Sequence, residues 1–307
     1  MTLKRALAAA LGIALLWGGT SQAGDITYHR FASEILGRDY HYALYLPDGY
    51  HETNQAYPVL YLLHGSFGSE RDWVESGGIE QAADHMIREG LMPPTVIVMP
   101  GSESWWIDGH NESARSAFFQ ELMPTVEETW QVVPRREWRA IGGLSAGGYG
   151  TLNFVLERPD LFAAAAALSP ASYHPLPPRN SSAWRHPAFL DETGDFDETL
   201  WQRRNYTTHL EGYLERDAVV PLYLSAGNRD VYNAEHHTRL VRQALVPHQP
   251  DLVAMEVLRG GHTWRVWRAS LPSALAWIGR FLQGPVPLEV LVDEGVSEPS
   301  SAGTRSR

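Results

Sequence analysis

The sequence predicts an α/β protein with a mostly parallel central sheet and helices on both faces. Strand-like and helix-like segments alternate from about Tyr28 to Leu282, which calls for such a sheet. Several strand-like segments are unbroken apolar runs, as strands buried on both faces require. A stretch with five glycines among ten residues, IGGLSAGGYG at 141–150, joins one such strand directly to a helix.

In chain order, strands are expected at 40–46, 59–63, 95–99, 138–142, 163–168, 219–225 and 252–258. VLYLL, TVIVM and AAAAAL have no polar interruption, whereas YHYALYL mixes polar and apolar residues and suits an antiparallel edge. Helices are expected at 79–89, 114–130, 146–157, 234–245 and 271–282. The last carries Leu271, Leu275, Ile278 and Leu282 at helical spacing, with Ser270 and Pro272 as cap and first turn. Two stretches break the alternation. Residues 169–217, rich in Pro, Asn, Trp and charge, read as an irregular lid-like insertion after the strand 163–168. Residues 284–307 read as a mobile C-terminal tail, leaving 24–283 as a single domain.

Residues 1–23 read as a secretory signal peptide: Lys4 and Arg5, an apolar run at 6–17, then Ser21-Gln22-Ala23 as a small-x-small cleavage site. Cleavage there leaves 284 residues and, with Lys4 and Arg5 gone, moves the net charge from −11 to −13. A periplasmic or extracellular location is therefore expected. The apolar run is shorter than the roughly 20 residues a membrane span needs, so no integral span is expected in the mature chain. The acidic balance argues against nucleic acid and anionic membranes as partners. With no cysteine, thiolate catalysis and cysteine-metal sites are excluded. Nothing in the sequence sets an oligomeric state.

The flanks decide what the glycine-rich stretch is for. It joins a strand to a helix, so it is not a linker; it has no lysine, so it is not a phosphate loop. It does contain G-x-S-x-G, with Gly143, Ser145 and Gly147. In that elbow the serine adopts a strained backbone and projects from the sheet, and glycine two residues either side permits the close approach of strand and helix. A serine needs a base to remove its proton, and the base needs an acid to orient it. The strand VVPLYLSAG runs into Asn228-Arg229-Asp230, and LVAMEVL runs into Arg259-Gly260-Gly261-His262. Asp230 and His262 thus lie just past strand ends, in the acid-then-histidine order of α/β-hydrolases. The backbone N–H groups of Ala146, next to the serine, and of Ser66, in the loop LLHGSFGSERDW, are the expected oxyanion donors.

The block FFQELMPTVEETWQVVPRREWRAIGGLSAGGYGTLNFVLERPDLFAAAAALSPA resembles the central block of the esterase D, or putative-esterase, family of α/β-hydrolases. YPVLYLLHGSFGSERDW, SAGNRDVYN and GGHTWRVWRASLPSALAWIGRFL extend the resemblance over nearly all of 40–282. That family includes feruloyl and acetyl esterases, enterochelin esterases, S-formylglutathione hydrolases and secreted mycolyltransferases. The resemblance implies the α/β-hydrolase fold, with the irregular insertion after its sixth strand. It implies a nucleophile at Ser145, acid at Asp230, base at His262, oxyanion donors at Ser66 and Ala146, and no metal or organic cofactor. Ala146 departs from the methionine of many relatives, which leaves the backbone donor in place.

The expected activity is hydrolysis of a small-molecule or saccharide-linked carboxylic ester through an acyl-enzyme. An acyltransferase would use the same residues, and a non-catalytic binding protein would not need them. Phe67, Trp73, Trp105, Trp106 and Trp264 fall on or near loops at strand C-termini, where open α/β sheets bind ligands. Phe67, Trp105, Trp106 and Trp264 are therefore the candidate substrate-lining residues.

Overall fold

The computed structural model describes residues 23–293, and the expected signal peptide at 1–23 lies outside them apart from Ala23. The chain opens with an antiparallel pair, β1 (Asp25–Ser33) and β2 (Arg38–Leu46). Next come β3 (Gln55–Ala56), β4 (Val59–Leu63), the single turn α1 (Asp72–Glu75), α2 (Ile79–Arg88) and β5 (Val96–Pro100). A helix then runs from α3 (Ala114–Ala117) through a π turn at Phe118–Leu122 into α4 (Met123–Thr129). The centre of the chain is β6 (Arg139–Leu144), α5 (Ala146–Glu157) and β7 (Ala164–Leu168). After α6 (Glu198–Arg203) and α7 (Thr207–Leu214) follow β8 (Leu222–Gly227), α8 (Ala234–Leu245), β9 (Val253–Leu258) and α9 (Trp264–Gly279). The described chain closes with β10 (Val286–Pro287) and α10 (Leu288–Asp293).

Eight strands form one sheet in the order β1-β2-β5-β4-β6-β7-β8-β9. β1, β2 and β5 pair antiparallel; every pair from β5 to β9 is parallel. This is the mostly parallel sheet with helices on both faces that the alternation predicts. Successive side chains of a strand point to opposite faces, and β4 shows the result. Val59, Tyr61 and Leu63 join a core with Phe118 and Val126 of the α3–α4 helix, Phe154 of α5 and Val241 of α8. Leu60 and Leu62 join a second core with Ala83 of α2 and Leu271 and Ile278 of α9. Because each parallel strand enters from the same side, the C-terminal ends of β4, β6, β8 and β9 share one edge of the sheet.

The observed elements depart from expectation in four places. β1, DITYHRFAS, has no core on its outer side, and its half-exposed, polar pattern hides it from periodicity. α9 starts at Trp264, not Leu271, and Pro272 sits inside it. The stripe that extends back through Leu271 to Trp267 on the sheet outweighs the backbone bond that proline removes. The insertion 169–217 is only partly irregular: besides α6 and α7 it has 3-10 turns at Ser182–Arg185 and Pro187–Phe189. It owns a third core, in which Ala183, Phe189 and Trp201 pack on Trp105 and on Tyr149 of α5. The start of the expected mobile tail is docked. Val286 and Pro287 pair with Ala56 and Gln55, and Leu291 is buried beside Ala56 and Val133.

Candidate active site

The turn from β6 to α5 puts Ser145 at φ 53°, ψ −114°, a strained conformation for a residue with a Cβ. Its surroundings leave little alternative. The Ser145 N–H donates to Leu168 at the end of β7 (2.9 Å), and its carbonyl accepts from Tyr149 (2.9 Å) and Ala171 (3.0 Å). A methyl at Gly143 would stand 2.5 Å from the Gly147 backbone, and one at Gly147 would stand 2.4 Å from the Leu63 carbonyl. Strand, elbow and helix therefore touch backbone to backbone, with no side chain between them.

Asp230 lies three residues beyond β8, in a turn where its N–H donates to Gly227 (3.3 Å) and its Oδ1 accepts from Tyr232 N–H (2.9 Å). The His262 loop is laced to it: Arg229 N–H donates to Gly260 (2.8 Å), and Gly260 N–H to Asn228 Oδ1 (3.2 Å). His262 Nδ1 is 2.6 Å from Asp230 Oδ2, and Nε2 is 2.7 Å from Ser145 Oγ. An ionised carboxylate only accepts, so Nδ1 carries the proton and donates to Asp230. Nε2 is then free to accept from the Ser145 hydroxyl. The Asp230 side chain is 1% exposed and that of His262 10%, so the pair is shielded from solvent. The rings of Tyr232 and Trp267 stand edge-on to the imidazole at 4.8 and 5.0 Å and fix its plane.

Ala146 is the first residue of α5, and the N–H there has no acceptor within the helix. Gly65 brings the Ser66 loop against the elbow: a methyl on it would meet Leu144 Cδ1 at 2.8 Å and Ser145 Cβ at 3.6 Å. His64, buried at the end of β4, donates from Nδ1 to the Gly65 carbonyl (2.7 Å) and accepts at Nε2 from Ser102 N–H (2.9 Å). Burial holds its pKa below the ordinary histidine value, so it stays neutral in the tautomer those bonds require.

The structure thus brings Ser145, Asp230 and His262 into one hydrogen-bonded chain and places Ser66 and Ala146 beside it. The aromatic candidates divide. Phe67 is 62% exposed at φ 57° and faces His186 with ring centroids 4.6 Å apart. Trp264 is half-buried against Trp73 and Trp267. Trp105 and Trp106 offer no surface to a ligand: they are 1% and 0% exposed, and their indole N–H groups donate to Ser66 Oγ (2.9 Å) and the His64 carbonyl (3.1 Å). A tryptophan in a loop at a strand end can turn inward, and both do, packing under the site. Sequence reasoning passed over Val231, 67% exposed directly after Asp230, and Ser182, whose hydroxyl donates to Ser66 Oγ (3.0 Å). Neither carries a motif. Among the described residues no group of three His, Asp or Glu side chains could hold a metal ion, and no helix is long and apolar enough to cross a membrane.

Known proteins bear on this geometry. One relative is 32% identical over 162 residues, covering 50% of this chain and 22% of its own length: an endo-1,4-beta-xylanase/feruloyl esterase of Xylanibacter ruminicola. Another, an acetyl esterase of Caldicellulosiruptor saccharolyticus, is 24% identical over 72% of this chain and 83% of its own. The chain spans only 22% to 56% of the first four curated relatives it matches. Among solved structures, a ferulic acid esterase superposes with a TM-score of 0.71 at 22% identity, covering 85% of this chain and 99% of that one. The fluorophosphonate-binding serine hydrolase FphF of Staphylococcus aureus gives 0.69 at 20% identity, covering 84% and 99%. Both likenesses show the α/β-hydrolase fold. A family profile described as "Putative esterase" matches residues 33–278, most of the chain, and the chain belongs to that family.

Proposed function

We propose that the protein is an exported serine carboxylic-ester hydrolase that works through an acyl-enzyme. The observation that carries this reading is the hydrogen-bonded chain from Asp230 through His262 to a strained, nearly buried Ser145. As an ester carbonyl approaches, Ser145 Oγ attacks its carbon while Nε2 of His262 takes the hydroxyl proton. Asp230 keeps Nδ1 protonated and stabilises the imidazolium that forms. The negative charge developing on the carbonyl oxygen is held by the N–H groups of Ser66 and Ala146, each worth about 3 kcal/mol of barrier. Collapse of the tetrahedral intermediate breaks the bond to the alcohol, which leaves with the proton from His262. Water then repeats the sequence on the acyl-enzyme, with His262 as base, and releases the acid.

Two of the most exposed apolar side chains, Phe67 and Val231, directly follow an oxyanion donor and the acid. An apolar acyl group suits such a rim, and relatives named feruloyl esterase and acetyl esterase support an acyl ester as substrate. The signal peptide pattern at 1–23 supports export to the periplasm or beyond.

Purified protein should hydrolyse p-nitrophenyl acetate, and Ser145→Ala should remove nearly all of that rate. Equal rates for the two proteins would falsify the assignment. A fluorophosphonate should label Ser145 alone, and adding a saccharide acceptor should leave the free acid as main product; an acylated saccharide would make the enzyme a transferase.

A further inference from the structure

Three buried tryptophans have no part in this mechanism, yet they converge on one short stretch of chain. Trp73 donates its indole N–H to the Leu63 carbonyl (3.0 Å), Trp106 to the His64 carbonyl (3.1 Å) and Trp105 to Ser66 Oγ (2.9 Å). An indole has one donor and no acceptor, so each has a single bond to give. All three give it to 63–66, the strand end that carries the Ser66 N–H. The remaining residue, Gly65, is held at its carbonyl by His64 Nδ1. Ser66 Oγ receives a second bond, from Ser182 of the insertion (3.0 Å).

The segment after Ser66 cannot hold this geometry by itself. Phe67 sits at φ 57°, left-handed for a residue with a side chain, and Gly68 follows. Such a conformation persists only where the surroundings over-determine it. We propose that Trp73, Trp105, Trp106 and Ser182 form a clamp that positions the Ser66 N–H for the oxyanion. Through Ser182 the insertion acts on stabilisation of the transition state as well as covering the site. The proposal rests on Ser145 being the nucleophile.

The test compares Ser66→Ala, Ser182→Ala, their double variant and Ser182→Thr in the full-length protein. The readouts are kcat and KM on p-nitrophenyl acetate, the Ki of an aryl trifluoromethyl ketone, and Tm. The ketone adds to Ser145 Oγ and places an oxyanion where the tetrahedral intermediate has one. Ser182→Ala should lose about 3- to 10-fold in kcat, the span of one neutral hydrogen bond, and Ser66→Ala, which also removes the acceptor of Trp105, at least as much. KM should stay within about 2-fold and the ketone weaken by the same factor as kcat. The double variant should be no worse than Ser66→Ala, which already removes the Ser182 bond. Ser182→Thr, which keeps the hydroxyl, should restore most of the rate. An unchanged kcat in Ser182→Ala, a loss carried by KM, or additive losses in the double variant would overturn the clamp. If Ser145→Ala is dead while Ser182→Ala is silent, only the clamp falls; if Ser145→Ala is active, both readings fall.

Discussion

Gly147→Ala tests whether backbone contact alone sets the spacing between Ser145 and the Ser66 N–H. The added methyl would stand 2.4 Å from the Leu63 carbonyl oxygen and 2.5 Å from that of His64. Both distances are roughly 1 Å short of ordinary carbon–oxygen contact. Neither carbonyl can move away freely, because Trp73 and Trp106 hold them at 3.0 and 3.1 Å. The displacement must fall on the first turn of α5, which carries Ser145 and the Ala146 N–H. A misplacement of about 1 Å at a reacting centre costs on the order of 10²-fold in rate, or about 2.7 kcal/mol of barrier. The assay is kcat/KM on p-nitrophenyl acetate, with circular dichroism to show that the variant is folded. Gly212→Ala is the control: nothing lies within 4 Å of its added methyl, and it sits in α7. That change should leave kcat/KM alone and add up to about 1 kcal/mol of stability. A folded Gly147→Ala enzyme within 3-fold of the parent would refute the reasoning.

Asp230→Asn should keep the architecture and lower kcat by about 10⁴-fold, since an amide can support the wrong imidazole tautomer; a loss under tenfold would place the acid elsewhere. His186 is buried against Phe67 and Trp105, and burial pushes its pKa down to about 4. The unfolded chain takes up a proton near pH 6.5 that the folded one refuses until about pH 4, so stability is full above 6.5 and falls as pH drops through that window. His64, shifted in the same direction, adds to the fall. His186→Asn, whose amide oxygen can still accept from Ala188 N–H, should make the drop in urea midpoint between pH 7 and pH 5 shallower; an unchanged slope would exclude His186 as a contributor. Leu291→Ala should cost about 2 kcal/mol in urea unfolding with kcat/KM unchanged, because Leu291 packs with Ala56 and Val133. No change in unfolding would mean that α10 does not dock in solution.

Why some of this was legible in the sequence and some was not follows from the range of the forces involved. Ser145, Asp230 and His262 could be placed because parallel strands end on one edge, so locating strand ends locates candidate side chains. Gly143 and Gly147 signalled close approach for the same local reason. The direction of Trp105 and Trp106 was not legible: a loop indole turns inward or outward according to which carbonyls tertiary packing leaves in need of a donor. Pro272 misplaced the start of α9, since local propensity forbids what packing of Trp267 and Leu271 on the sheet enforces. β10 escaped notice because two residues paired with Gln55 and Ala56, far away in sequence, have no periodicity to read.

The insertion's separate aromatic nucleus bears on how such a protein could diversify. Phe189 and Trp201 meet α5 at Tyr149, one helical turn beyond Ser145, where Tyr149 stacks on Trp201 at 5.5 Å and donates to the Arg204 carbonyl at 2.6 Å. A segment that closes its own apolar core around two anchoring rings, Trp105 and Tyr149, can be lengthened, shortened or exchanged as a block while the eight-stranded sheet keeps both of its cores. Substrate range can then drift by replacing the roof, and the chemistry beneath it descends unaltered where the new roof again offers Ser66 Oγ a hydroxyl.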